Sequence, residues 1–194
     1  MGIRTRDMAL VRDNAASMDF GQMQTVFAPY LRLPHTFGGT RRQRIYTHGR
    51  VFWMFIGQVL DADRACGAAV QAFLAWLNSL TGKQASPETG AYCQARKALP
   101  LKDIKALHAP LAQALDQADE TFLGRRVHVV DGSSLSMPDT PENQERWPQP
   151  SSQTPGCGFP VMRIVGLFSL ATGIWRGVAF SALATAERTL FRSL

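Results

Sequence analysis

The chain has 194 residues, 45% of them hydrophobic and 19% charged, a globular balance that excludes wholesale disorder and suffices for one domain or two small ones. Lys and Arg number 21 against 15 acids, leaving +6 and a pI near 9.7, which favours a polyanionic partner. Cys66, Cys93 and Cys157 lie far apart with no Cys-x-x-Cys pair, which argues against a disulfide framework or a zinc site and for a reducing cytoplasm.

The first twenty residues mix Arg4, Arg6, Asp7, Arg12, Asp13 and Asp19 with few apolar residues, so no signal-peptide core is expected. Val51–Leu60 is too short for a bilayer span of roughly 20 residues. Val161–Phe180 is broken by Arg163, Gly166, Gly173, Arg176 and Gly177, and the expectation is a soluble protein. Between Asp19 and Asp61 there is no acid, while Arg32, Arg41, Arg42, Arg44 and Arg50 fall inside that window. The excess positive charge belongs to the N-terminal half.

That half reads as helical. Ala65, Ala68, Ala69, Ala72, Phe73, Trp76, Leu77 and Leu80 recur at three- and four-residue steps, one face of a helix that Gly82 stops. Ser86 as N-cap and Pro87 at the first helical position predict a second helix ending by Pro100. Leu101, Ile104, Leu107, Leu111, Leu115 and Phe122 predict a third, kinked or split at Pro110 and closed by Gly124. From Arg125 the grammar changes. Val127-His128-Val129-Val130 is a short β-branched run that predicts a buried strand, with His128 packed inside it and Asp131-Gly132 at its end. Residues 136–160 form a proline-rich excursion, because six of the 11 prolines lie in 138–160. Pro160–Leu170 and Gly173–Phe180 predict two strands joined at Ala171-Thr172-Gly173, and Ala182–Leu194 returns to a helical pattern. The fold class expected is α+β: a helical region over 1–125, then a β-meander and a helix over 126–194.

Asp131 carries the most chemical information. A carboxylate at a strand end, followed by glycine and serines, is held by the strand and opened to solvent by the turn, the placement of metal ligands and nucleophiles. An Asx-type turn cap is the structural alternative. Asp139 or Thr140, followed by Pro141, reads as a helix cap rather than a ligand, and Glu187 is expected to face solvent or an arginine. Arg41-Arg42-Gln43-Arg44, with Arg50, is the candidate DNA contact, since arginines neutralise phosphates and displace counterions. An ordinary solvated loop is the alternative there. Tyr46 and His48 are candidates to add contacts, whereas Phe52, Trp53 and Phe55 at helical spacing read as core. The four histidines show no ligand spacing, and Ser133 and Ser134 lack a nucleophile elbow.

The stretch from Val127 through Asp131-Gly132-Ser133-Ser134 to Asn143 resembles the first catalytic-aspartate segment of bacterial insertion-sequence transposases of the DDE class. It is closest to the subgroup with a Tyr-Arg-Glu-Lys-type glutamate motif. Ala91-Tyr92-Cys93-Gln94-Ala95-Arg96, Pro160–Val165 with Ala171-Thr172-Gly173, and Ala186–Phe191 resemble further segments of that family in the same order. The resemblance implies a ribonuclease-H-like α/β domain whose two aspartates and one glutamate hold two magnesium ions for cleavage and strand transfer at DNA ends. Asp131 matches the first aspartate, as catalytic residue and metal ligand. The second aspartate and the glutamate find no match, so the resemblance implies a truncated, catalytically incomplete portion of a transposase. Its partners are terminal-repeat and target DNA in the bacterial cytoplasm, at the nucleoid, and it allows a homodimer in the full-length form. Two rival readings remain open: a non-catalytic DNA-binding protein acting through the helical half, and an unrelated metal-dependent nuclease anchored on Asp131.

Overall fold

A computed structural model of the chain describes residues 18–33, 37, 44–116 and 122–194. The chain divides into two compact units, residues 3–111 and 112–194.

The first unit is helical. Helix α1 (Phe20–Phe27) starts at a capping box that the sequence reading passed over. Gln22 N donates to Asp19 Oδ1 at 2.8 Å and Asp19 N to Gln22 Oε1 at 3.0 Å. Helix α2 (His48–Leu60) is capped by Thr47, and helix α3 (Cys66–Thr81) ends as expected on Gly82, whose φ of +65° is the left-handed cap that glycine adopts without strain. Helix α4 (Thr89–Lys97) starts later than the sequence suggested. Glu88 occupies the cap position, and Ser86 Oγ instead accepts from Glu88 N at 3.3 Å, so the Ser-Pro pair forms a turn ahead of the helix. Helix α5 (Leu101–Leu115) carries Pro110 inside it and stops before the expected Phe122. Gly124, at φ +72°, belongs to a tight turn bridged by Phe122 and Arg125.

Burial follows from apolar spacing. Val51, Phe52, Trp53 and Met54 on α2 meet Val70, Phe73 and Leu77 on α3 and Tyr92 on α4, all with under a tenth of their surface exposed. Phe20 packs its ring 5.3 Å from Phe73 and 4.7 Å from Trp76, tilted as ring quadrupoles prefer. Phe52 and Trp53 are therefore core, in agreement with their helical spacing.

The second unit is a three-stranded antiparallel sheet in the order β1-β2-β3, with β1 His128–Ser136, β2 Val161–Ser169 and β3 Trp175–Ala182. Together the units are α+β. The β2–β3 connection falls where the sequence placed it: Gly173 turns at φ +70°, and its N–H donates to Ser169 O at 2.8 Å. In the proline-rich excursion, helix α6 (Pro141–Arg146) is capped by Thr140, whose hydroxyl accepts from Asn143 N at 3.2 Å. The expected C-terminal helix shrinks to α7 (Glu187–Phe191), which packs on β2 and β3 with Leu190 buried.

The first strand departs most from expectation. It is nine residues long and exposed almost throughout, and His128 is its exposed first residue rather than a packed one. Gly132-Ser133-Ser134 does not turn. It pairs with Val165, Ile164 and Arg163, and this ladder overrides the local turn preference of the Gly-Ser pair.

Candidate nucleic-acid interface and the Asp131 strand

Asp131 stands in the middle of β1, not at its end, opposite Gly166 of β2. Leu170 N donates to Val127 O at 3.0 Å and Met137 N to Pro160 O at 2.8 Å, so the odd-numbered residues of β1 face β2 with their backbone groups. Even-numbered residues then turn their N–H and C=O to the edge that no strand covers among the described residues. Gly132 is one of these. Asp131 Oδ1 accepts from its N–H at 3.0 Å, which carries the carboxylate toward that edge. This contact reaches only the next residue and lies within a strand, so it is not the Asx-type turn cap considered above, and Asp131 is solvent-exposed.

Side chains alternate across a strand, so Asp131 shares a face with its cross-strand neighbour Gly166 and with Phe168. Phe168 and Trp175 meet edge-to-face with centroids 4.6 Å apart, and a Cβ added at Gly166 would lie 2.7 Å from Trp175 Cζ3 and 3.0 Å from Phe168 Cζ. A glycine opposite Asp131 is what lets this aromatic pair lean over the strand. On the other face, the Glu187 carboxylate lies where a Gly132 Cβ would come within 2.6 Å of Cδ and 2.8 Å of both oxygens. Glu187 is exposed, as expected, and its carboxylate lies over Gly132 of β1.

These two acids flank one glycine from opposite faces. Among the described residues, no three His, Cys, Asp or Glu side chains come together as a metal site. Magnesium takes oxygen ligands in octahedral order, with waters and phosphates filling what carboxylates leave. Asp131 offers one exposed carboxylate of the three that the resemblance implies. Asp139 is occupied elsewhere: its Oδ1 accepts from Gln144 Nε2 at 2.8 Å beside α6.

Of the four candidate arginines, Arg41 and Arg42 lie outside the described residues. Arg44 is exposed at the approach to α2. Arg50, in the first turn of α2, is half-buried, and its Nη1 donates to Ile45 O at 3.1 Å and Arg44 O at 3.5 Å. It shapes the loop that presents Arg44. Tyr46 turns inward, its ring 5.8 Å from Phe73 and 6.4 Å from Tyr92, and desolvation pushes its hydroxyl above the ordinary range. No acid lies between Asp19 and Asp61 to offset these cations.

Two clusters escaped the sequence reading because their members are distant in the chain. Asp116, just past α5, is buried. It accepts from Thr172 Oγ1 at 3.0 Å, pairs with Arg176 Nη1 at 3.5 Å and is hydrogen-bonded by Ser169. The Ser169 bond is the largest of the influences that hold its carboxyl below the usual range, and the Thr172 bond and Arg176 add to it against the cost of desolvation. The second cluster joins α2, α3 and α4. Gln58 Oε1 accepts from Tyr92 Oη at 2.8 Å and from Arg96 Nη1 at 2.9 Å, while Gln58 Nε2 donates to Arg64 O at 2.8 Å. Burial pushes the Tyr92 phenol up to about 12, against the opposing Arg96 guanidinium. Tyr92, Cys93 and Arg96 are the side chains of the Ala91–Arg96 motif that reach this cluster, so here the motif ties helices together.

Comparison with protein-family models, with curated proteins and with solved structures finds no match to this chain. Among the described residues, no helix is long and apolar enough to cross a membrane.

Proposed function

We propose that this chain is a DNA-binding protein of the DDE-transposase type. In this reading residues 1–125 hold a helical DNA-binding region, and residues 126–194 hold the opening strands of a ribonuclease-H-like domain with Asp131 as its first aspartate. The observation that carries the reading is the arrangement around Asp131. The aspartate sits on the first strand of an antiparallel meander, the excursion follows, and the helix after β3 packs on the sheet, an arrangement compatible with the resemblance.

Phosphate contact comes from the acid-free arginine window, with Arg44 exposed and Arg50 shaping its loop. Such contacts give affinity without base reading. Asp131 and Glu187 alone do not make the magnesium site, so cleavage and strand transfer are not assigned to the described residues.

The test is an assay with the full chain on fluorescent duplex DNA, with and without magnesium. Binding that needs no metal, with the duplex left intact, supports DNA binding by the helical half, the outcome that the non-catalytic DNA-binding reading also predicts. Magnesium-dependent cleavage that disappears in Asp131→Asn would favour the unrelated nuclease instead, and no binding at low salt would end the DNA-binding reading.

A further inference from the structure

Cys66 and Cys93 are separated by 27 positions, yet their sulfurs lie 3.8 Å apart, Cys66 as the first residue of α3 and Cys93 in the middle of α4. Both are free and half-exposed, whereas Cys157 is exposed and belongs to the other unit. Three donors converge on the Cys66 sulfur: Gln58 Nε2 at 3.4 Å, Arg96 Nη1 at 3.8 Å and the Cys93 thiol. Gln58 and Arg96 are themselves fixed, through the shared Gln58 Oε1 and through Arg96 resting 5.6 Å from the Tyr92 ring centroid.

We propose that Cys66 and Cys93 are a reversible thiol-modification site, which takes low-molecular-weight disulfides such as oxidised glutathione and closes to an intramolecular disulfide between α3 and α4. The Cys66 sulfur is the acceptor in all three of these contacts, so Cys66 is assigned as the attacking residue and Cys93 as the resolving one. Cys66 gives up its proton and its sulfur bonds to one sulfur of the reagent, whose S–S bond breaks and releases one thiolate that takes up a proton. Cys93 then loses its proton and attacks the Cys66 sulfur, and the second thiolate leaves and is protonated in turn. Two protein thiols are oxidised and one small disulfide is reduced to two thiols. A disulfide bond needs about 2.05 Å, so closure brings the two sulfurs together from 3.8 Å. The product cross-links helices that already pack together, so it stiffens the first unit. This inference does not depend on DNA binding.

The experiment uses the full chain carrying Cys157→Ser, equilibrated in glutathione buffers of rising oxidation, quenched with acid and mapped by trypsin without reduction. Cleavage at Arg64, Lys83 and Arg96 places the two cysteines on separate peptides, 65–83 and 84–96. The expected result is one cross-linked pair of these peptides that becomes the major form, reverts with reduced glutathione, and accompanies a higher melting temperature. In the Cys93→Ser variant of the same background, glutathione accumulates on Cys66 and no cross-link forms. Glutathione on both cysteines of the parent without a cross-link, or two unreacted thiols in oxidised buffer, would overturn the proposal. The parent map alone decides this even where Cys93→Ser folds poorly.

Discussion

Asp116 shows how a single carboxylate organises the second unit. It is buried and its partners come from β2, the β2–β3 turn and β3, so it fixes the stretch after α5 to the hairpin. Asn keeps one acceptor oxygen but removes the charge and sets an NH2 donor where the second oxygen stood, against Arg176 or the hydroxyls. Asp116→Asn is expected to destabilise the chain by about 2 kcal/mol, as read by thermal denaturation of the second unit. The pH dependence has a defined sign. The folded carboxyl titrates below its unfolded value of about 3.9, so its contribution is complete above that value and is lost as pH falls through the lower folded one. The Asn variant should lose this acid-side slope; an unchanged slope would assign the acid sensitivity to other groups. Tyr92 makes the matching case in the first unit. Tyr92→Phe removes only a hydroxyl, but it deprives Gln58 of a donor at a fully buried site, and about 1 kcal/mol of stability should go with it.

At the scale of elements, what was legible depended on how local the signal was. The α3 helix and its Gly82 stop, the Thr140 cap and the Gly173 turn were readable because periodicity and backbone chemistry act over a few residues. The α1 capping box at Asp19 and Gln22 carried the same kind of signal and was missed. The length of β1 was not legible. Gly132-Ser133-Ser134 reads as a turn in isolation and becomes strand only because β2 supplies nine partners in register. The same error placed Asp131 at a strand end. Neither the Asp116 cluster nor the Cys66–Gln58–Arg96 cluster was visible, because each joins residues that only the fold brings together. The β1–β2 pairing makes a further prediction. Gly166→Ala drives a methyl into the Trp175 and Phe168 rings and should cost about 1–2 kcal/mol, with altered tryptophan fluorescence. Gly132→Ala meets only the far end of the Glu187 side chain, which can rotate away, and should cost much less. Equal costs would contradict this assignment of faces.

For the whole molecule, the two units differ in how their apolar surface is covered. The first has a continuous aromatic core, whereas the second exposes Val129, Val130, Leu135, Trp175 and Val178 on a sheet whose β1 edge is unpaired among the described residues. Exposed edges and thin cores open at low cost, so limited proteolysis of the full chain should cut within 126–194 before it cuts within α2–α4. Uniform resistance would contradict that contrast. If the acid-free arginine window holds DNA phosphates, the salt dependence of duplex binding reports it. Each neutralised phosphate adds about 0.9 to the slope of log K against log salt. The triple variant Arg41→Ala, Arg42→Ala, Arg44→Ala should therefore bind more weakly, with a slope shallower by about 3 than that of the unaltered chain. A chain that binds no duplex, or a variant that keeps the parent slope, would contradict the account.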